Sequence, residues 1–193
     1  FFLNDPRTGN ATNAFAAMAE LDAESAAADW PFTEAAEASY DLGLMHNGLA
    51  SGIDHDDLVW EYRHLFVGPD RLSAPPWGSV YTDRECVIFG ESTLALRAWM
   101  RRNSIVRTLD ENTPEDHIGL MLSLLAFLAQ TRPELIDEYL TGHLLTWASH
   151  YLDELEEAAL HPFYQGLARL TRATLNGISE CRKLTVTLPR FYR

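Results

Sequence analysis

The acid–base side chains between positions 54 and 64 offer the first candidate chemistry. His55-Asp56 sets an imidazole nitrogen beside a carboxylate, a pair able to hold a divalent ion in a phosphohydrolase. Glu61-x-x-His64 would put a second carboxylate and imidazole on one helical face, as in di-iron bundles. Such bundles need two Glu-x-x-His motifs, and the sequence contains one. Acids from Asp54 to Asp57 also suit a helix start, where each stabilises the positive helix end by roughly 0.3 to 1 kcal/mol without any metal. A metal-dependent hydrolase built on His55, Asp56, Glu61 and His64 is therefore an alternative, and no metal or cofactor is expected. Cys86 and Cys181 lie far apart without CxxC or Cys/His spacing, so neither a disulfide framework nor a zinc site is suggested. Dinucleotide (GxGxxG), P-loop, GxSxG and HExxH patterns do not occur, which leaves those enzyme classes without their physical parts.

Asp116 and His117 follow Thr113-Pro114-Glu115, a threonine cap, a proline at the first helical position and an acid. Residues at a helix N-terminus face whatever lies in front of it. A cap acid beside a partly buried histidine and a binding pair are equally good readings. Trp77, after Pro75-Pro76, either plugs the core from a loop or binds a ligand.

The elements that would carry these residues are helices. Phe15, Met18 and Leu21 or Asp22 mark one, closed by Trp30-Pro31, and Ala36, Tyr40 and Leu44 mark a second starting at Thr33. Asp54 caps a third, with Leu58, Tyr62, Leu65 and Phe66 on one face and Gly68-Pro69 at its end. A long loop through Pro75, Pro76 and Gly78 holds Trp77 and Tyr81. Helix resumes near Glu91 and ends at Arg101-Arg102-Asn103. Ile118 to Gln130 is apolar nearly all round and reads as the central core helix. Pro133 opens another helix, interrupted near Gly142, and His161-Pro162 starts the last, striped by Phe163, Leu167, Leu170 and Leu175. The tail Leu184 to Arg193 reads as irregular or extended. The expected fold is all-α, a single-domain compact helical bundle over residues 1–193.

With 193 residues, 47% hydrophobic and 22% charged, the chain has the composition of one globular domain. Its net charge of −13 understates the acidity of the body, because Arg182, Lys183, Arg190 and Arg193 crowd the tail. That field disfavours nucleic acid and anionic lipid and favours a cationic partner. The longest uncharged stretch, Ile118 to Thr131, is shorter than the ~20 residues of a membrane span. No stable membrane insertion is expected, and the start at Phe1-Phe2-Leu3 does not read as a signal peptide.

Three stretches carry a family likeness: Leu65-Phe66-Val67-Gly68-Pro69, Ala74-Pro75-Pro76-Trp77-Gly78-Ser79-Val80-Tyr81 and Phe89-Gly90-Glu91-Ser92-Thr93-Leu94-Ala95-Leu96-Arg97. Together with Pro114-Glu115-Asp116-His117-Ile118-Gly119 and His161-Pro162-Phe163-Tyr164, they resemble the TorD/DmsD family of redox-enzyme maturation chaperones, from about Trp30 onward. The resemblance implies an all-helical, non-enzymatic cytoplasmic chaperone that visits the inner membrane transiently. Its implied partner is the twin-arginine signal peptide of a molybdenum-cofactor oxidoreductase precursor, of the DMSO reductase catalytic-subunit type, with Tat translocase components as further partners. The family's peptide-binding region maps onto Tyr62, Leu65, Phe66, Pro76, Trp77, Arg84, Gly90, Asp116 and His117. In that scheme Asp116, assisted by Glu115, receives an arginine, and His117 gains a proton near neutral pH. Tyr62 and Asp70 stand where close relatives carry tryptophan, and the family's N-terminal helix is expected to be incomplete. An adaptor for the folded enzyme subunit is a further alternative.

Overall fold

The computed structural model describes every residue except Asp54, Asp70 and 108–112, so the expected Asp54 cap and the departure at Asp70 lie outside the described residues. Among the described residues there are ten α-helices and no strand, which is the all-α class read from the sequence. The chain divides into two compact units, one of residues 1–75 with 152–183 and the other of residues 76–151 with 184–193.

In the first unit α1 (Gly9–Ala19) and α2 (Ala23–Ala28) replace the single alanine-rich helix expected there. The break has a local cause. The Asp22 carboxylate accepts from the N–H groups of Glu24 and Ser25, both at 3.1 Å, and so starts a new helix where the first would have continued. Helix α3 (Ala35–Gly48) packs on α10 (Pro162–Cys181), and Gly166 makes the approach close: a Cβ there would lie 2.5 Å from the Asp41 carbonyl. The stripe Phe163, Leu167, Leu170 and Leu175 is buried as its spacing predicts. Helix α4 (Asp56–Phe66) buries Leu58, Tyr62, Leu65 and Phe66 on one face, and His55 occupies its N-cap position.

The second unit contains α5 (Gly78–Thr82), α6 (Glu91–Arg102), α7 (Ile118–Thr131) and α8 (Ile136–Tyr139). A 3-10 turn at Pro133–Leu135 precedes α8 and a π turn at Leu140–Leu144 follows it, so the expected interruption near Gly142 is a widened turn. The division between the units falls inside α9 (Ala148–Ala158). Trp99 packs on Tyr139, and Trp147 on Tyr81 and Tyr151, in two buried aromatic clusters, with the Tyr139 hydroxyl donating to the Met121 carbonyl at 2.7 Å.

Three expectations need correction here. The loop after Pro76 contains α5, because the acceptor for its first turn comes from Asp116, 37 residues away. Pro114 does not open α7. The chain turns at Pro114 (His117 N–H to the Pro114 carbonyl, 3.1 Å), His117 takes an extended conformation, and the helix begins at Ile118. Nor is α7 the core's centre. It packs on the 3-10 turn and on α8, with Ile118, Gly119, Met121 and Leu128 buried while Phe127 is 45% exposed.

Candidate functional site

Tyr62, Leu65 and Phe66 belong to the first unit, where all three are buried on α4 and the Tyr62 ring lies 5.3 Å from that of Phe66. Pro76, Trp77, Arg84, Gly90, Asp116 and His117 belong to the second, where the structure brings several of them into one backbone framework.

That framework is an isolated antiparallel bridge between Trp77 and His117. The Ile118 N–H donates to the Pro76 carbonyl at 2.8 Å, and the Gly78 N–H donates to the Asp116 carbonyl at 3.1 Å. Proline at 76 supplies an acceptor without needing a donor's partner, and the paired backbone fixes where α5 and α7 begin. Gly78 permits this course because a Cβ there would lie 2.7 Å from the Trp147 indole. The Asp116 carboxylate reinforces the link, with Oδ2 accepting from the Ser79 N–H at 2.7 Å and from the Ser92 hydroxyl at 3.2 Å. One acid thereby anchors the start of α5 and the first turn of α6. Asp116 is 2% exposed, and its Oδ1 has no hydrogen-bond partner among the described residues.

His117 is 5% exposed, and its Nδ1 accepts from the Gly119 N–H at 3.1 Å, capping α7. Burial pushes its pKa down to about 4. It is therefore neutral at neutral pH, and the expectation that it gains a proton there does not hold. The Trp77 ring meets the imidazole edge to face at 5.7 Å. Glu115 is engaged as well: Arg97 binds it through two bonds of 2.9 and 2.7 Å, and Arg107 lies 3.9 Å away.

Arg84 and Gly90 line a groove of about 570 Å³ with Asp83, Val87, Phe89, Leu94 and Tyr192. Gly90 precedes α6, and the Asp83 carboxylate accepts from the Glu91 N–H at 2.6 Å. Burial raises the Asp83 pKa against that bond. Asp83, Glu85 and Glu91 face a single cation, Arg84, among the groove's lining residues, and Val87, Phe89 and Leu94 are exposed beside them. The loop is held in an unusual course, with Cys86 and Phe89 both left-handed at φ 50 and 63. Ser79, Ser92, Asp83 and Tyr192 are the site residues that sequence reasoning missed. Ser92 had a signal, a serine in the first turn of a helix, whereas nothing local marks Ser79, Asp83 or Tyr192.

The four residues of the metal-hydrolase alternative have other partners. Glu61 is buried and accepts from the N–H groups of Leu160 and His161 at 2.5 and 3.0 Å, holding the start of α10. Asp56 pairs with Arg7 at 2.7 Å, His55 caps α4, and His64 stacks on Trp60 with ring centres 5.1 Å apart.

Residues 14–161 match the family described as nitrate reductase delta subunit. The chain is 46% identical over 150 residues to the probable Tat proofreading chaperone DmsD of Haemophilus influenzae, covering 78% of this chain and 71% of that protein. It is 44% identical over 149 residues to the Tat proofreading chaperone DmsD of Salmonella paratyphi A, covering 77% and 70%. A more distant relative is the chaperone protein TorD of Vibrio cholerae, 26% identical over 137 residues, 65% of this chain and 62% of that protein.

Proposed function

The chain belongs to the nitrate reductase delta subunit family, and from that premise we propose that it is a chaperone for the twin-arginine signal peptide of a molybdenum-cofactor enzyme precursor. The client is of the DMSO reductase catalytic-subunit type, held in the cytoplasm for maturation before Tat export. The chaperone visits the inner membrane and Tat translocase components only transiently, and it performs no catalysis of its own.

The observation that carries this reading is the groove at Arg84 and Gly90, which sets three carboxylates against exposed Val87, Phe89 and Leu94. A twin-arginine peptide presents guanidinium groups next to an apolar segment, so both halves of the groove have a counterpart. Apolar contact dominates affinity, since each well-buried side chain contributes roughly 1.5 to 3 kcal/mol, while exposed ion pairs contribute about 0 to 1 kcal/mol each. Rim carboxylates make the first contact because Asp116 is too buried to do so. Asp116 Oδ1 is then the acceptor available to a guanidinium seated at the bridge, beside Trp77 and His117. Pro76 fixes that bridge through its carbonyl.

Calorimetry with a synthetic twin-arginine peptide tests the scheme. Trp77→Ala should weaken binding about tenfold or more, by the apolar increment above, and Glu85→Lys should weaken it with a marked salt dependence. Unchanged affinity in both variants removes this site.

A second reading, an adaptor for the folded enzyme subunit, is favoured by the apolar groove of Met100, Val106, Leu124 and Phe127. Deleting the client's leader and repeating a pull-down separates the two. Full retained binding supports the adaptor.

A further inference from the structure

Residues 184–193 have no regular secondary structure, yet their last members follow a defined course over the second unit. The Tyr192 N–H donates to the Tyr81 carbonyl at 2.9 Å, and the Tyr192 carbonyl lies 3.7 Å from the Cys86 thiol. Phe191 stacks on His150 with ring centres 4.3 Å apart and planes 12° off parallel, and His150 Nε2 is 2.8 Å from the Arg193 carbonyl. The Arg190 guanidinium lies over the Tyr192 ring at 5.2 Å. Tyr192 also forms a wall of the groove that contains Arg84 and Gly90.

These contacts describe a segment of arginine–aromatic–aromatic–arginine chemistry held by Tyr81, Cys86 and His150, with Tyr192 at the edge of an acidic, partly apolar groove. Its main chain pairs with Tyr81, which any extended peptide can imitate, and its side chains supply the charge and the aromatic faces. We propose that the surface formed by Tyr81, Cys86, His150 and the Asp83–Leu94 groove is a docking site for extended arginine- and aromatic-bearing peptides, occupied in cis by residues 190–193. An incoming client peptide then binds by displacing the chain's own segment. That last step rests on the function proposed above, whereas the docking of residues 190–193 does not.

Tethering sets the strength of the competition. A segment joined to its site by a short linker acts at an effective concentration on the order of millimolar, so even weak docking lowers the apparent affinity for a competitor. Basic residues in the tail of an otherwise acidic chain thereby set a threshold: a peptide must exceed the tail's own complementarity to be held.

The test uses the full chain and two variants, Phe191→Ser/Tyr192→Ser and Arg190→Glu, each checked for native helicity by circular dichroism. A labelled peptide of residues 188–193 is titrated into each and followed by fluorescence anisotropy, then challenged with an unlabelled twin-arginine peptide. Both variants should bind the labelled peptide about tenfold more tightly than the unaltered chain, and the twin-arginine peptide should displace it. Equal binding to all three proteins, or none to folded variants, overturns the docking. A twin-arginine peptide that binds without displacing the label places it elsewhere and overturns the competition. A twin-arginine peptide that binds no form of the protein refutes the proposed function instead, and the labelled-peptide titration still decides the docking.

Discussion

Asp83 and Gly90 share one space: a Cβ at position 90 would collide with the Asp83 carboxylate, which occupies that volume to accept the Glu91 N–H. The loop between them presents Val87, Ile88 and Phe89 to the outside. Gly90→Ala should therefore expel Asp83 from the start of α6 and destabilise the chain by about 1 to 2 kcal/mol, the cost of losing a helix cap. Chemical denaturation checks the energy. A weaker peptide titration by the still-folded variant would connect the loop's course to binding.

Asp116 anchors two helix starts through one oxygen, so Asp116→Ala should cost about 1.5 to 3 kcal/mol, the range for a buried bond to a charged group. Asp116→Asn keeps an acceptor for the Ser79 N–H and should recover part of that stability. If the asparagine variant folds yet binds a twin-arginine peptide less well, the carboxylate charge acts in recognition as well as in folding.

His117 gives stability a pH dependence whose sign follows from its burial. Its pKa is about 4 in the folded chain against 6.5 when free, so between those values the unfolded chain binds the proton and the folded chain does not. Stability falls as pH drops from 6.5 toward 4, by about 3 kcal/mol from this residue. Burial also lowers the pKa of His143 and His161, which adds to the same slope. His117→Asn, which retains a cap acceptor for Gly119, should flatten the decline in a pH series of denaturation midpoints.

In the first unit Asp41 is fully buried and bonded to Arg169 at 2.6 Å, while Arg169 also binds Glu156 at 2.9 Å. Burial raises the Asp41 pKa and Arg169 opposes it. Arg169→Ala should leave a buried charge without a partner and cost about 3 kcal/mol. Its sign of pH dependence is opposite to that of His117. A carboxyl whose folded pKa lies above its free value favours folding when protonated, so acidification should recover stability in this variant. Adding Asp41→Asn should remove that recovery, as a pH-resolved melting series would record.

Helix type and most helix positions were legible because they depend on spacing within a few residues. Leu58, Tyr62, Leu65 and Phe66 share a face at any placement of α4, and His161-Pro162 starts α10 by its own geometry. Breaks made by a nearby side chain, such as the Asp22 cap, were within local reach but easily overridden by the alanine run around them. What was misread depends on partners distant in sequence. Helix α5 begins because an aspartate 37 residues away accepts its Ser79 N–H, and α7 begins at Ile118, whose N–H donates to the Pro76 carbonyl.

The candidate site divides in the same way. The sequence by itself determined that Trp77 is an unusual residue in a proline-rich stretch, that Asp116 and His117 lie at a helix start, that the body is acidic, and that the tail carries arginines, since charge and residue type need no fold. Only the tertiary structure decided that His117 is neutral, that Asp116 has one oxygen engaged and one unpartnered among the described residues, and that Tyr192 lies at the Gly90 groove. The reason is physical: burial and long-range pairing set the protonation and availability of a side chain, and neither is a property of its neighbours along the chain.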